Sequence, residues 1–205
     1  MKQYPTIRKE IIPNIDIVAF DKLDGSNIRA EWTRKSGFNK FGRRRGLLDD
    51  TNPILKNSES LFISKYEKDL IDIFNKERLE KAVCFFEFWG ENSAYGQHDE
   101  NEEQKVTLID VHVHKKGMLP PREFIKLFGH LDIPRIVHKG RADGDFVDSV
   151  KSGKVEGMSF EGVVCKSNTL DKRKMPIMFK IKTDAWMEKL RKHCNGDDKM
   201  FEALA

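Results

Sequence analysis

Long apolar runs are missing from this 205-residue chain. None approaches the ~20 residues of a membrane span. The opening Met1-Lys2-Gln3-Tyr4-Pro5 lacks the apolar core of a signal peptide. Cysteine is scarce, and Cys84, Cys165 and Cys194 form no C-x-x-C pair. Neither a disulfide framework nor a zinc ribbon is favoured. Internal repeats, low-complexity stretches and a linker long enough to divide the chain are all lacking. His112 and His114 share a strand face, but without a clear third ligand a solvent-exposed face outweighs a metal site. The expectation is a cytoplasmic protein with one domain over residues 1–205.

What is present is a charged chain able to bury a core. Charged residues make up 34% and hydrophobic ones 39%, with a net charge of +4 that permits nucleic-acid binding without requiring it. Strands are expected at Ile15–Phe20, from Ile28 to Thr33, at Ala82–Trp89, Val106–His114, Ser159–Lys166 and Ile177–Lys182. In the second of these, Ile28, Ala30 and Trp32 alternate with Arg29, Glu31 and Thr33, the period of a half-buried strand. Asp24-Gly25 between the first two reads as a hairpin turn. Helices are expected from Asn57 or Ser58, with Phe62, Tyr66, Leu70, Ile73 and Phe74 on one face. Others are expected from Pro120-Pro121, with Phe124, Leu127 and Phe128 buried; over Asp145–Lys151; and after a Thr183 or Asp184 cap through Trp186, Leu190 and His193. Strands outnumber helices and their connections are mixed, so the fold class is α+β.

The chemistry is signalled by charge inside apolar strands. Lys22-Leu23-Asp24-Gly25-Ser26-Asn27 places a lysine at a strand end. Downstream come Phe86-Glu87-Phe88-Trp89-Gly90, Phe160-Glu161-Gly162-Val163-Val164 and Phe179-Lys180-Ile181-Lys182. An unpaired charge on a core-facing position is heavily penalised. Repeated carboxylates and ammoniums in such strands therefore point to one shared polar cleft. Lys180 and Lys182 fall on one strand face, where two ammoniums are poor sheet interior unless an anion lies between them. Phe88 and Trp89 read as core rather than as a base-stacking pair. Lys172-Arg173-Lys174 reads as a surface loop, though one attractive to a nucleic-acid backbone.

In chain order the set Lys, Glu, Glu, Lys-x-Lys resembles the lysine-adenylating nucleotidyltransferases: polynucleotide ligases and mRNA capping enzymes. Asn27, two positions after the glycine, stands where cellular DNA ligases and capping enzymes typically carry arginine. K-x-D-G-S/T-N is similar to the RNA ligase 2 class of nick-sealing RNA ligases, as is Tyr4-Pro5-Thr6-Ile7. The match runs roughly from Tyr4 to Lys182.

The resemblance implies an ATP-grasp-like nucleotidyltransferase domain of two antiparallel sheets with flanking helices and the nucleotide between them. It implies ATP and Mg²⁺, with Mn²⁺ as an alternative, and an RNA substrate such as a nicked duplex or RNA/DNA hybrid. Lys22 would form lysyl-AMP, helped by Lys180 and Lys182, whose positive charge favours the neutral amine. Glu87 would orient ribose or a metal-bound water, and Glu161 would join the metal site or hold Lys22. Leu23 and Val164 would border the adenine, and Ile109 stands where the class usually stacks an aromatic ring. Asn27 would hold the reacting strand end. An arginine among Arg43 to Arg45, with Arg44 favoured, would meet ribose or strand. Too few residues follow Lys182 for an OB-fold or helical clamp, so a bare catalytic domain is expected, with a partner protein or a pre-formed nick supplying the missing clamp. A minimal DNA ligase and a non-catalytic nucleotide- or RNA-binding module remain the alternatives.

Overall fold

A computed structural model describes residues 1–48, 53–90 and 102–204. Two antiparallel sheets organise it. The smaller has four strands, β1 (Asp16–Asp21), β8 (Ile136–Arg141), β9 (Gly162–Leu170) and β10 (Pro176–Lys182), in the order β10-β9-β1-β8. The larger contains β2 (Gly25–Thr33), β3 (Gly37–Arg43), β4 (Gly46–Leu47), β5 (Lys81–Trp89), β6 (Lys105–Val113) and β7 (Gly117–Met118), ordered β4-β3-β2-β5-β6-β7. Five helices flank them: α1 (Pro53–Lys76), α2 (Pro121–Phe128), α3 (Gly144–Lys151), α4 (Asp184–Cys194) and α5 (Asp198–Leu204). The fold is α+β, as the pattern implies. Among the described residues no helix is long and apolar enough to cross a membrane.

Each sheet buries one apolar face under helices. In the large sheet Ile28, Ala30, Trp32, Cys84, Phe86 and Leu108 pack against Phe62, Tyr66, Leu70 and Phe74 of α1 and Phe124 and Phe128 of α2. Each fully buried phenylalanine there contributes roughly 1.5–3 kcal/mol of transfer free energy. In the small sheet Ile17, Ala19, Val163, Cys165, Phe179 and Ile181 pack on Phe146 and Val150 of α3.

The structure corrects several expectations. Asp24-Gly25 does not close a hairpin: β1 belongs to the small sheet and β2 to the large one, so Lys22–Asp24 is the crossover between them. Gly25 pairs with Trp89, and a Cβ on it would lie 2.3 Å from the Phe88 carbonyl oxygen. The glycine serves close strand approach there. Nor is β2 half-exposed, since Arg29 and Glu31 are as buried as the apolar residues between them. The N-terminal segment covers that face. Arg29 donates to the carbonyls of Lys2, Arg43 and Gly46, and Glu31 pairs with Lys81 at 3.0 Å.

Helix α1 begins a turn earlier than Asn57, because Leu55 joins the buried face and proline is tolerated in a first turn. Within α2 Leu127 is only half-buried. The chain after Lys182 forms two helices rather than one. Thr183 caps α4 by accepting from the Trp186 amide, and Asn195 in a left-handed conformation (φ 45°) ends it before α5. Strand β9 starts at Gly162 rather than Ser159. Strands β3 and β8 and the short β4 and β7 complete the sheets.

Candidate active site

The unhelical faces of the two sheets enclose a cleft of about 930 Å³, within the range of small-molecule sites. Every residue singled out from the sequence lines it: Lys22, Leu23, Asn27, Arg44, Glu87, Ile109, Glu161, Val164, Lys180 and Lys182. Register explains the convergence. On the small sheet Lys180 lies opposite Val164 and Lys182 opposite Gly162, while Phe20 faces Val164 from the other side. On the large sheet Asn27 and Glu87 are cross-strand neighbours.

Lys22 stands between the sheets, and its backbone is pinned. Its amide donates to Gly162 O at 2.9 Å, and its carbonyl accepts from Ser159 Oγ at 3.1 Å. Gly162 has φ 131°, and a Cβ there would fall 2.2 Å from Ile181 O. Only glycine lets β9 lie so close to β10 while its carbonyl holds Lys22.

Glu161 is buried and serves two ammoniums. Its Oε2 lies 2.7 Å from Lys22 Nζ, and its Oε1 lies 3.3 Å from Lys182 Nζ. Lys182 also donates to Leu204 O at 3.0 Å and sits 3.5 Å from the Trp186 ring centre. Burial alone would depress the Lys22 pKa, but Glu161, Glu87 and Asp24 outweigh it and hold the amine above its ordinary value. The carboxylates around Lys22 thus outweigh its burial. The depression falls instead on the other two lysines. Burial and neighbouring cations push Lys180 down to about 8. Burial, only partly offset by Glu161, takes Lys182 to about 7. Across the cleft, desolvation raises Glu87 to about 8 despite Lys22 and Arg44 nearby.

Asn27 donates weakly to Phe86 O at 3.4 Å, and its buried Oδ1 has no hydrogen-bond partner among the described residues. Such an orphaned acceptor is costly unless a ligand satisfies it. Ile109 owes its position to a bulge: Phe85 pairs with Asp110 and Phe86 with Leu108, which leaves Ile109 unpaired and turned into the cleft. Behind it Lys166 Nζ donates to Ile109 O and Asp110 Oδ2, both at 2.8 Å, and Tyr4 also donates to Asp110.

Lys166, Trp186 and the strap Tyr4–Glu10 were not among the residues read as functional, although they line the cleft. The rule that exposed Lys180 finds Lys166 too, since it is a lysine two positions after Val164 in an apolar strand. No local signal marks Trp186. Trp89 is half-buried, with Nε1 donating to Thr107 Oγ1 at 3.0 Å, and Phe88 is core. His112 is half-buried and His114 exposed, beside Glu31 and Lys81 in a separate pocket. Among the described residues no group of three or more His, Cys, Asp or Glu could hold a metal ion.

The fold of two antiparallel sheets is shared with solved structures that include ATP-dependent RNA ligases. An archaeal ATP-dependent RNA ligase superposes with a TM-score of 0.65 at 15% identity, over 95% of this chain and 52% of that one. Naegleria gruberi RNA ligase with PPi gives 0.60 at 15% identity, over 93% and 60%. A variant of the Naegleria gruberi enzyme with ATP and Mn gives 0.59 at 16% identity, over 91% and 59%. This chain thus spans between half and three-fifths of the length of these structures. No protein-family model and no curated protein matches its sequence.

Proposed function

We propose that this protein is an ATP-dependent RNA ligase that works through a lysyl-AMP intermediate on Lys22. The observation that carries the reading is the convergence of Lys22, Glu87, Glu161, Lys180 and Lys182 on one cleft, with Lys22 Nζ 2.7 Å from Glu161. In the first step the neutral Lys22 amine attacks the α-phosphorus of ATP. An N–P bond forms, the bond from Pα to the bridging oxygen breaks, its electron pair leaves with pyrophosphate, and the amine proton passes to solvent. AMP then moves to the 5′-phosphate of a strand, and a 3′-hydroxyl displaces it.

The chain's own residues supply the setting. Gly162 O and Ser159 Oγ fix the Lys22 backbone, and Lys180 and Lys182 face the phosphates and balance the charge that develops on them. Val164, Leu23 and Ile109 provide apolar surface for the base. Asn27 Oδ1 offers an acceptor to a ribose hydroxyl of the strand end, and Arg44 approaches from the β3–β4 turn.

A divalent cation fits as a companion of the nucleotide rather than as a caged ion. Desolvation raises the Glu87 carboxyl to about 8, and both oxygens of Glu161 already face lysines. One or two carboxylates plus phosphate oxygens suit Mg²⁺, which keeps several waters. When bound it would neutralise phosphate charge, with Glu87 and Glu161 as its protein contacts.

The test is incubation with α-labelled ATP and Mg²⁺ or Mn²⁺. Covalent label is expected in the wild type and not in Lys22→Ala; an unlabelled wild type refutes the reading. Nicked duplexes with RNA or DNA on each side of the break then identify the strand that is sealed, and sealing of DNA alone would favour a minimal DNA ligase.

A further inference from the structure

The N-terminal strap runs along the open edge of the small sheet. Arg8 bridges Phe179 in parallel, and its carbonyl accepts from the Lys180 amide at 3.0 Å. That pairing sets Lys9 in the lining of the cleft. There its Nζ donates to Glu202 O, while Lys182 Nζ donates to Leu204 O. The two acceptors are backbone carbonyls of α5. Two lysines from distant parts of the chain thus share one helix. Lys9 is also close enough to Lys180 to contribute to its depressed pKa. Lys9, Lys180 and Lys182 stand here against the Glu161 carboxylate, so this corner keeps an excess of positive charge suited to a polyanion.

We propose that Lys9, beside Lys182, seats the terminal phosphates of the nucleotide, the part that departs as pyrophosphate, and that the α5 carbonyls hold these two lysines until phosphate displaces those carbonyls. The inference rests on the ligase reading of the site. It adds a phosphate contact from the N-terminal strap and an exchange: phosphate oxygens replace the Glu202 and Leu204 carbonyls, and α5 gives way. Phe201 fastens α5 to α4, with the Arg191 guanidinium 4.3 Å from its ring centre.

Binding of inorganic pyrophosphate to the 205-residue protein, measured by calorimetry, tests this without requiring turnover. Lys9→Ala should weaken binding about tenfold, the effect of losing one charge-assisted hydrogen bond, and Lys9→Arg should retain most of it. Phe201→Ala, which loosens α5, should tighten binding several-fold. Equal pyrophosphate affinity in wild type and Lys9→Ala overturns the seat, even if Lys22 accepts label from ATP. Unchanged or weaker binding in Phe201→Ala overturns the exchange. Lys9-dependent pyrophosphate binding with no label transfer in the wild type would support the seat while refuting the ligase reading.

Discussion

Replacing Glu87 by glutamine should stabilise the nucleotide-free protein, increasingly so as pH rises. Desolvation in the cleft lifts the Glu87 carboxyl from 4.5 to about 8, with Glu161 and Asp24 adding to the rise and Lys22 and Arg44 opposing it. Between those values the folded state binds a proton that the unfolded chain has released, so stability falls as pH climbs through this window. The loss is absent below pH 4.5 and complete above about 8. At about 1.4 kcal/mol per pH unit, the interval from 4.5 to neutrality amounts to about 3 kcal/mol, an upper figure for a carboxyl that is only partly shielded. Glutamine keeps the shape and the neutral charge, so it avoids this cost. Urea unfolding of both proteins at a series of pH values from 4.5 to 8.5, without nucleotide or metal, gives the difference directly. The two should agree at the acid end and diverge steadily towards pH 8. Parallel stability curves would show that Glu87 titrates normally and that the cleft is wetter than its geometry implies.

Two further substitutions probe the site. Asn27→Ala should retain most lysyl-AMP formation while lowering strand sealing about tenfold, as expected for one lost polar contact to the strand end; loss of adenylation as complete as in Lys22→Ala would refute that division of labour. Gly162→Ala should cost about 2 kcal/mol or more in urea unfolding, since its φ of 131° and the 2.2 Å approach to Ile181 O admit no side chain. It should also reduce label transfer, because the Gly162 carbonyl holds the Lys22 amide; near-wild-type stability would mean the two strands separate more easily than their register suggests.

The part of the site legible in sequence was the part with charge in an apolar strand. Glu87, Glu161, Lys180 and Lys182 each break a core-facing pattern, and burial makes such breaks expensive enough to signify. Arg29 and Glu31 break no pattern, because alternation in β2 is what a half-exposed strand also shows. Only the N-terminal segment folding over that face reveals that both sides are buried. Sheet membership was hidden for a related reason. Asp24-Gly25 carries the residue types of a turn, but local chemistry cannot say whether the next strand returns to the same sheet. Helix α5 is a single seven-residue element with two of its carbonyls taken by Lys9 and Lys182. Its position depends on contacts with distant segments, which periodicity does not register.

If Lys22 is the nucleophile of the proposed reaction, the electrostatics of the cleft indicate what must change before it reacts. Glu161 faces two lysines through its two oxygens, yet their pKa values move in opposite directions. Lys22 also faces Glu87 and Asp24, whereas Lys182 faces Lys180 and Lys22. The carboxylates therefore keep the proton on the nucleophile, and the lysine pair bears the cost of crowding. Phosphate oxygens binding at Lys180 and Lys182 would relieve that crowding but, being negative, would not take the proton from Lys22. Neutralisation of Glu161 would, since its oxygen lies 2.7 Å from the ammonium and is the first charge that stabilises it. On the proposed ligase reading, freeing the Lys22 amine for attack is thus tied to Glu161, the carboxylate that holds it at the edge of the small sheet.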